Sequence, residues 1–477
     1  MQSTLKRTTL WGYGAGNFGY GVISQAVSTF LMFYATAVLG MNGAWVGMLV
    51  SIGVIWDAVS DPIMGYLSDQ TRSKRFGRRH IYLWIGGIGI ALSNVLLWYI
   101  QPEMSLNMKL FSMATWILVL KTFLTIYITP YTALSAELTE GYEERTKIQA
   151  VKTAFFLLGI FFTAALGLIL FFKPTEAYPI GQLNPAGYQS MGMATSILML
   201  LSMFVVIFAT RPMIPHLNSR ILSEGHVGMG HFLTSVKHAF SNKDYASVVI
   251  GYLFTNLSSA LINTIGLHVF TYTFALNSTG IAVIIGTQII VSILSQPVWA
   301  ALSVKMEKHE LIKLGIQISI VGCLYFMLMV IFRDYFQFEF YHLIPFSLLA
   351  GFGTGGLYTL PQSMVADTVD VNALEVGMRQ EGVFFGCMTL SYKLSQSIAI
   401  FLLGFVLELS GFSAEIGVQS SDTGLILGLV LALGGILFFV FSYVAYRPYS
   451  LTRERVDAVH RALKLRIEEG GLNTSKD

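Results

Sequence analysis

The segment SDPIMGYLS at residues 60–68 has a counterpart, SQPVWAALS, at residues 295–303. Both segments begin with serine, carry proline at the third position and end with serine. Each closes the second apolar stretch in its part of the chain. A short match can arise by chance, but the same placement in both parts favours a true repeat. The sequence therefore predicts two duplicated halves.

The composition places these halves in a membrane. Of the 477 residues, 54% are hydrophobic and 12% are charged, whereas soluble domains contain about 25% charged residues. Apolar stretches of about 20 residues, the length that crosses a bilayer, recur between short polar connections. We predict an all-α membrane protein with twelve transmembrane helices. Their predicted bounds are 11–39, 43–67, 80–100, 108–138, 146–172, 190–210, 246–275, 280–303, 311–332, 340–366, 381–410 and 424–447.

The longest connection between spans, residues 211–245, separates six predicted spans from six. It contains two prolines and three glycines, which are typical of a linker. We therefore place the domain boundary in this segment. The predicted organisation is an N-terminal six-helix half at 1–210, a central cytoplasmic loop at 211–245, a C-terminal six-helix half at 246–447 and a cytoplasmic tail at 448–477.

Basic residues are distributed unevenly between the two sides of the membrane. With a cytoplasmic N-terminus, 24 of the 30 Lys and Arg fall in loops, tails and span edges on the cytoplasmic side. This asymmetry follows the positive-inside rule and predicts that both termini are cytoplasmic. Contact of these loops with anionic lipid accounts for the net charge of +3, so no nucleic-acid partner is indicated. The first span is too long for a signal-peptide core, which predicts an uncleaved helix.

Two acidic residues lie inside the second span. Asp57 and Asp61 are four residues apart, which puts both carboxylates on one face of a helix. Each charge costs roughly 2.5–3.5 kcal/mol at the centre of a bilayer, which marks both residues as functional candidates. The two carboxylates repel unless a cation or a basic side chain lies between them. Ser60 and Thr125 could add the further oxygen ligands that a hard cation such as sodium requires. The alternative is a structural ion pair with a neighbouring helix.

Three lysines also fall within predicted spans. Lys393 lies in the middle of the eleventh span, too deep to reach the interface, and it is predicted to be functional. Lys152 lies near the start of the fifth span, where it could either act on a solute or extend to the cytoplasmic interface. Lys121, in the fourth span, either lines a cavity or pairs with an acid that the sequence does not identify.

Several segments resemble the glycoside–pentoside–hexuronide:cation symporter family of the major facilitator superfamily. They are WDAVSDPIMG at 56–65 with DQTRS at 69–73, YGAGNFG at 13–19, PYTAL at 130–134, and the set Ala366, Asp367, Asp370, Arg379, Glu381, Gly382 and Lys393. The resemblance implies the major facilitator fold, with two six-helix halves, and symport by alternating access. It also implies that Asp57 and Asp61 bind the coupling cation, sodium or a proton, with Thr125 and with Ser60 in place of the family's Asn.

The resemblance implies a changed solute site. Gly21 and Ile128 replace two acids that hydrogen-bond the sugar, Thr132 replaces a stacking Trp, and Lys152 replaces an Arg. The solute-binding residues predicted on this basis are Asn17, Tyr127, Tyr131, Lys152, Tyr358, Gln362 and Lys393. A sugar, glycoside or uronide is the expected solute. The alternative is an anionic amphiphile, because the chain also resembles vertebrate sodium-dependent lysophosphatidylcholine transporters, in which the matching lysine of the eleventh helix contacts a phosphate.

Charged residues at the cytoplasmic ends of the spans are predicted to form ion pairs that close this side in an outward-open state. The predicted gate residues are Asp69, Arg72, Arg78, Arg145, Asp367, Asp370, Arg379 and Glu381.

The sequence gives little support to an enzyme. His226 and His231 are five residues apart, which is not the helical spacing of a zinc pair, and neither a nucleophile elbow nor a phosphate-binding loop is found. Cys323 and Cys387 both fall within spans, so no disulfide framework or cysteine metal site is indicated. No cofactor or metal is predicted beyond a sodium ion at Asp57 and Asp61. A non-transporting receptor is disfavoured, because buried charge without function would only destabilise the protein.

The remaining predictions concern the setting of the protein. The compact loops favour a bacterial inner membrane. A monomer is expected, with a small solute and the lipid bilayer as its partners. The tail at 451–477 is read as a basic amphipathic helix, with Val456, Val459 and Leu463 on one side. Such a helix is expected to lie on the cytoplasmic lipid surface; the alternative is a solvated tail.

Overall fold

The structure, a computed structural model, describes most of the chain. The described residues are 6–71, 73, 77–139, 142–214, 240–335, 337–376, 381–413 and 419–468. Within them, twelve helices are long and apolar enough to cross a membrane. They are α1 (Arg7–Val38), α2 (Gly43–Ser68), α3 (His80–Trp98), α4 (Leu106–Ser135), α5 (Lys147–Phe171), α6 (Pro185–Met213), α7 (Lys243–Thr273), α8 (Ser278–Leu302), α9 (Lys308–Tyr335), α10 (Phe340–Leu374), α11 (Val383–Leu409) and α12 (Ser421–Ala445). A polar helix, α13 (Arg453–Glu468), follows them. Each predicted span overlaps one of α1–α12, so the prediction of twelve transmembrane helices is confirmed.

The first helix of each half ends in the same irregular way. Residues Tyr34–Val38 of α1 and Val269–Thr273 of α7 form π-helical turns at a constant separation of 235 residues. That separation also relates Ser60 to Ser295. The next turn carries a positive φ in both halves, +68° at Gly40 and +51° at Ala275. A π turn adds a residue to the helix and is rare. Its recurrence at equivalent positions is therefore strong support for the duplication.

The second helix of each half also starts and ends alike. The Asn42 side chain accepts a hydrogen bond from Ala44 N at 2.9 Å, and that of Asn277 accepts one from Gly280 N at 2.8 Å. Asparagine is a favoured residue at a helix start because its side chain pairs with otherwise unbonded amides. At the other end, Ser68 Oγ donates to Gly65 O at 3.0 Å and Ser303 Oγ donates to Ala300 O at 2.8 Å. The repeat thus extends over residues 34–68 and 269–303.

The chain forms two compact units that do not follow the two sequential halves. The first unit combines α1–α6 with Asn263–Gly286 and Ile400–Leu427, and the second unit contains most of the remaining C-terminal half. Within the first unit, Thr36 Oγ1 lies 2.8 Å from His268 Nε2, and Ser278 Oγ donates to Phe172 O at 2.7 Å. The division into an N-terminal half, a loop and a C-terminal half stays a prediction.

The C-terminal helix is placed differently from the sequence expectation. Val456, Val459 and Leu463 of α13 are only 8–9% exposed, because this face packs against α10 of the second unit. Arg453 donates from its guanidinium to Ser303 O and Val304 O, both at 2.6 Å. The expectation that this apolar face lies on lipid was wrong, because amphipathicity shows that a helix has a partner without identifying the partner.

Candidate cation and solute site

The fourth helix supplies a basic partner for the acids of the second helix. Lys121 Nζ lies 2.8 Å from Asp57 Oδ2, and the two side chains are 19% and 12% exposed. This contact supplies the acid that the sequence could not identify for Lys121. It is also the interhelical ion pair considered as an alternative role for Asp57. A charge pair this poorly hydrated stabilises the protein only while both partners are present, since removing one leaves an uncompensated charge.

The second acid lies in a group of oxygen atoms. Thr125 Oγ1 donates to Asp61 Oδ1 at 2.8 Å, and Ser60 Oγ donates to Thr125 Oγ1 at 3.2 Å. Thr125 is buried and Ser60 is partly buried. The structure thus brings Asp61, Ser60 and Thr125 together and pairs Asp57 with Lys121 on the same two helices. Cation binding by these residues stays a prediction. Oxygen atoms of three side chains within hydrogen-bond distance are suited to hold a hard cation or a proton.

A matching pattern on the two helices accounts for this geometry. Asp57 and Asp61 are four residues apart on α2, and their partners Lys121 and Thr125 are four residues apart on α4. One turn earlier, a Cβ atom at Gly53 would lie 2.9 Å from the Ile117 side chain. The absence of a side chain there permits the close approach of the two helices. These equal spacings are the signal in the sequence that is compatible with the pairing of Lys121 and Asp57, although they do not fix the register between the two helices.

A second polar group involves helices α1, α4 and α5. Lys152 Nζ lies 5.7 Å from the ring centroid of Tyr131, where the ring face attracts a cation, and 3.5 Å from Thr132 Oγ1. Asn17 is buried, and its Nδ2 donates to Lys152 O at 3.1 Å. Among the described residues, Asn17 Oδ1 has no hydrogen-bond partner. This group therefore offers a cationic donor and an acceptor close together.

Two predicted solute residues lie inside the helix packing. Tyr127 and Tyr131 are fully buried, and their hydroxyls donate to Gly16 O at 3.0 Å and Tyr13 O at 2.7 Å. Tyr13 returns a hydrogen bond to Tyr131 O at 2.8 Å, and their rings stack with centroids 4.6 Å apart. These contacts join α1 to α4. A direct contact of either tyrosine with a solute stays a prediction.

Helix packing also explains the glycine that replaces a sugar-binding acid. A Cβ atom at Gly21 would lie 2.6 Å from Phe156 O, and one at Gly159 would lie 2.5 Å from Phe18 O. Two helices that approach this closely leave no room for a side chain at Gly21. In this packing α1 cannot present an acid at this position to a solute.

The solute residues predicted in the C-terminal half are less fully defined. Lys393 on α11 is partly exposed, and Gln362 on α10 is exposed. Tyr358 lies in α10, but its side chain is outside the described part of the structure. Solute binding by these residues stays a prediction.

The predicted gate residues that are described form ion pairs or hydrogen bonds with side chains near helix ends. Arg78 Nη2 and Arg79 Nη2 lie 2.7 Å and 2.9 Å from Glu137 Oε1. In the second unit, Asp367 pairs with Lys308, and Asp370 Oδ2 lies 3.0 Å from His460 Nε2. Sequence reasoning missed four of these partners, namely Arg79, Glu137, Lys308 and His460.

The other predicted gate residues give no test. Arg72 and Arg379 lie outside the described residues, as do the side chains of Asp69, Arg145 and Glu381. His226 and His231 of the central loop also lie outside them.

Comparison with known proteins identifies the kind of molecule that carries this site. A family described as MFS/sugar transport protein matches residues 12–453. The chain belongs to this family. Its relatives include symporters of the glycoside–pentoside–hexuronide:cation group, which confirms the resemblance seen in the sequence. The MFS protein is accordingly a multi-pass membrane transporter and not an enzyme.

Individual relatives cover nearly the whole of the MFS chain. An uncharacterized symporter of Synechocystis is 28% identical over 86% of this chain and 87% of its own length. Sodium-dependent lysophosphatidylcholine symporter 1-A of Danio rerio is 22% identical over 98% of this chain and 90% of its own length. An isoprimeverose transporter of Lactiplantibacillus pentosus is 24% identical over 85% and 81%, respectively. These relatives support cation-coupled symport.

The fold comparison agrees. The crystal structure of a D-xylose-proton symporter superposes with a TM-score of 0.67 over 93% of this chain and 99% of its own, at 12% identity. Together with the twelve helices, this similarity confirms the major facilitator fold with two six-helix halves.

Proposed function

We propose that this protein is a symporter that couples the entry of a sugar, glycoside or uronide to sodium or a proton at the second helix. The observation that carries the proposal is the placement of Asp57 and Asp61 against Lys121 and Thr125 inside the membrane. Buried carboxylates in a transporter mark ion pathways. A cation that neutralises this group would favour the state in which solute can bind.

The solute would bind to polar groups of both halves. Lys152, beside Thr132 and the ring of Tyr131, supplies a positive charge, and Asn17 supplies an acceptor. Lys393, Tyr358 and Gln362 would contribute from the C-terminal half. Two lysines without the sugar-binding acids of the family suit a carboxylated sugar better than a neutral one, because a lysine ammonium donates strong hydrogen bonds to a carboxylate. A uronide is therefore the substrate that we place first.

A lysophospholipid or another anionic amphiphile is the second candidate. The specific observation in its favour is the Danio rerio relative, which matches 98% of this chain. The two candidates share a negative charge and differ in the acyl chain. A site for the amphiphile would need an apolar surface beside Lys393, whereas a uronide would need several hydroxyl partners.

Transport would follow alternating access in a bacterial inner membrane, with both termini in the cytoplasm and the monomer as the working unit. Contacts such as that between Thr36 and His268 would break when the site opens on the side opposite the termini. The side-chain contacts of Arg78, Asp367 and Asp370 would rearrange as the other side closes. The undescribed gate residues Asp69, Arg72, Arg145, Arg379 and Glu381 are proposed to join them there.

The first experiment is ligand-induced thermal stabilisation of the purified protein, with and without sodium and at two pH values. The panel contains neutral glycosides, uronides and lysophospholipids. Stabilisation by a uronide that increases with sodium or with acid supports the first proposal. A response only to lysophospholipids would replace it with the second. Uphill transport that persists undiminished in both Asp57→Asn and Asp61→Asn would contradict cation coupling at this site.

A further inference from the structure

The ion pair between Lys121 and Asp57 changes the charge balance of the cation site. With both carboxylates ionised, Asp57 and Asp61 carry two negative charges, and Lys121 returns one positive charge at 2.8 Å from Asp57. Lys121 reaches Asp57 from the same face of α4 that places Thr125 against Asp61. The lysine therefore belongs to the cation site itself.

The two carboxylates have different kinds of partner. Asp57 accepts a hydrogen bond from an ammonium group, which has no lone pair with which to ligate a cation. Asp61 accepts from Thr125, which in turn accepts from Ser60, so two hydroxyl oxygens that can turn their lone pairs toward a cation are among its neighbours. The geometry favours a mobile cation at Asp61 and a permanent one at Asp57.

We propose that Lys121 is a tethered cation that neutralises Asp57, so that one mobile monovalent cation at Asp61, Thr125 and Ser60 completes the charge balance. This inference rests on the proposed symport function and assigns a separate role to each acid. Asp57 sets the net charge of the site through Lys121, and Asp61 ligates the cation. Lys121 thereby fixes how many charges the site accepts from outside.

The main rival explanation is that Asp57 ligates the mobile cation directly and that Lys121 is only its partner in the unloaded state. The two explanations differ for variants of the pair. Counting only Asp57, Asp61 and Lys121, Asp57→Asn leaves these groups with no net charge and Lys121→Met leaves them with two negative charges. The double variant restores the single negative charge that they carry in the native protein. Direct ligation by Asp57 instead predicts that the double variant binds as poorly as Asp57→Asn.

The test is equilibrium binding of radioactive sodium to the purified full-length protein in lipid nanodiscs, for the native chain and these three variants. If the proteins bind protons instead of sodium, a parallel titration with a pH-sensitive dye between about pH 5 and 9 ranks the same four proteins by their proton affinity. Lys109→Met is the matched control, because Lys109 lies on the same helix and donates to Leu39 O at 2.7 Å. We expect the control to bind as the native protein does.

We expect Lys121→Met to bind the cation at least tenfold more tightly and Asp57→Asn at least tenfold more weakly. The double variant should return to within about threefold of the native affinity, since nearby charges set the affinity of an ionic site. A double variant as weak as Asp57→Asn overturns the inference, as does native affinity in Lys121→Met. If Lys121→Met fails to fold with its uncompensated acid, the comparison of Asp57→Asn with the double variant decides alone.

Failure of the proposed function gives a different result. Asp61→Asn should abolish binding in every background. If it does not, or if the native protein binds neither sodium nor protons, the cation site itself is wrong and the role of Lys121 falls with it. If Asp61→Asn abolishes binding but the charge order fails, only the tethered cation is wrong.

Discussion

The second helices of the two halves share their backbone features and differ in their chemistry. Both α2 and α8 follow a π turn, start at a capping asparagine and contain an internal proline, Pro62 or Pro297. The positions of Asp57 and Asp61, however, correspond to Ser292 and Gln296. In α8 the hydroxyl of Ser295 donates to Ser292 O of its own helix at 2.9 Å, whereas the equivalent Ser60 of α2 donates to Thr125 Oγ1 on α4. The two helices thus share their backbone geometry, while only α2 carries acidic side chains at these two positions.

The largest effect is expected when an acid of α2 is replaced by the residue at the equivalent position of α8. We expect Asp61→Gln to abolish cation-dependent accumulation of the solute found in the binding panel, because an amide cannot neutralise a cation. Exchange of external labelled solute for internal unlabelled solute, the counterflow assay, should remain, since it needs no net cation movement. The measurement is uptake into proteoliposomes with and without an imposed cation gradient.

The reverse change is the control for that experiment. Gln296→Asp places an acid in α8 without a lysine partner, and it should destabilise the protein by roughly 2.5–3.5 kcal/mol without adding a second cation site. A gain of cation binding in this variant would show that the halves are interchangeable.

The first helices also differ between the halves, at Gly21 in α1 and Asn256 in α7. A side chain at Gly21 would meet Phe156 O, whereas Asn256 is accommodated and donates to Tyr252 O at 2.7 Å. We expect Gly21→Ala to lower stability by about 1–3 kcal/mol through overpacking. The loss should appear as a lower midpoint of thermal unfolding. Gly386→Ala is the matched control, because a Cβ atom there meets nothing within 4 Å. Equal stability of the two variants would contradict the close packing of α1 and α5.

Lys152 on α5 and Lys393 on α11 are the lysines that each half is proposed to contribute to solute binding. If a uronide is the solute, Lys152→Met should weaken its binding by about tenfold, the effect of losing one charged hydrogen bond. Binding of a neutral glycoside should change less. Isothermal titration with a matched uronide and glycoside measures both. A larger loss in Lys393→Met that is confined to lysophospholipids would move the site to the second candidate function.

The smallest expected effect concerns α13, which packs against α10 within the second unit. Leu463 of α13 is 9% exposed and Leu465 is 59% exposed. We expect Leu463→Ala to speed the release of α13 by limited proteolysis, with little change in the unfolding of the membrane helices, because a peripheral helix can open locally. Leu465→Ala should behave as the native protein does. Equal sensitivity of the two variants would instead indicate that lipid holds the helix.

The sequence was sufficient for the features that depend on local pattern. Apolar length predicted the twelve spans, and the four-residue spacing of Asp57 and Asp61 placed both acids on one face. The pairing of Lys121 was missed because it depends on the register between α2 and α4, which one sequence does not reveal. The sequence did not show that the hydroxyls of Tyr127 and Tyr131 join α4 to α1, because polar aromatics occur both in binding sites and between packed helices. The packing of α13 against α10 was missed because an amphipathic helix can rest its apolar face on lipid or on protein.

The pairing of Lys121 with Asp57 has a consequence for the energy source of uptake. A site that accepts one mobile monovalent cation moves one elementary charge with a neutral solute, and the membrane potential then contributes about 2.3 kcal/mol per 100 mV. That energy corresponds to an accumulation ratio of roughly 50. A uronide carries one negative charge, so its passage with one cation transfers no net charge. Its uptake would follow the chemical gradients alone and would be the same in energised and depolarised membranes.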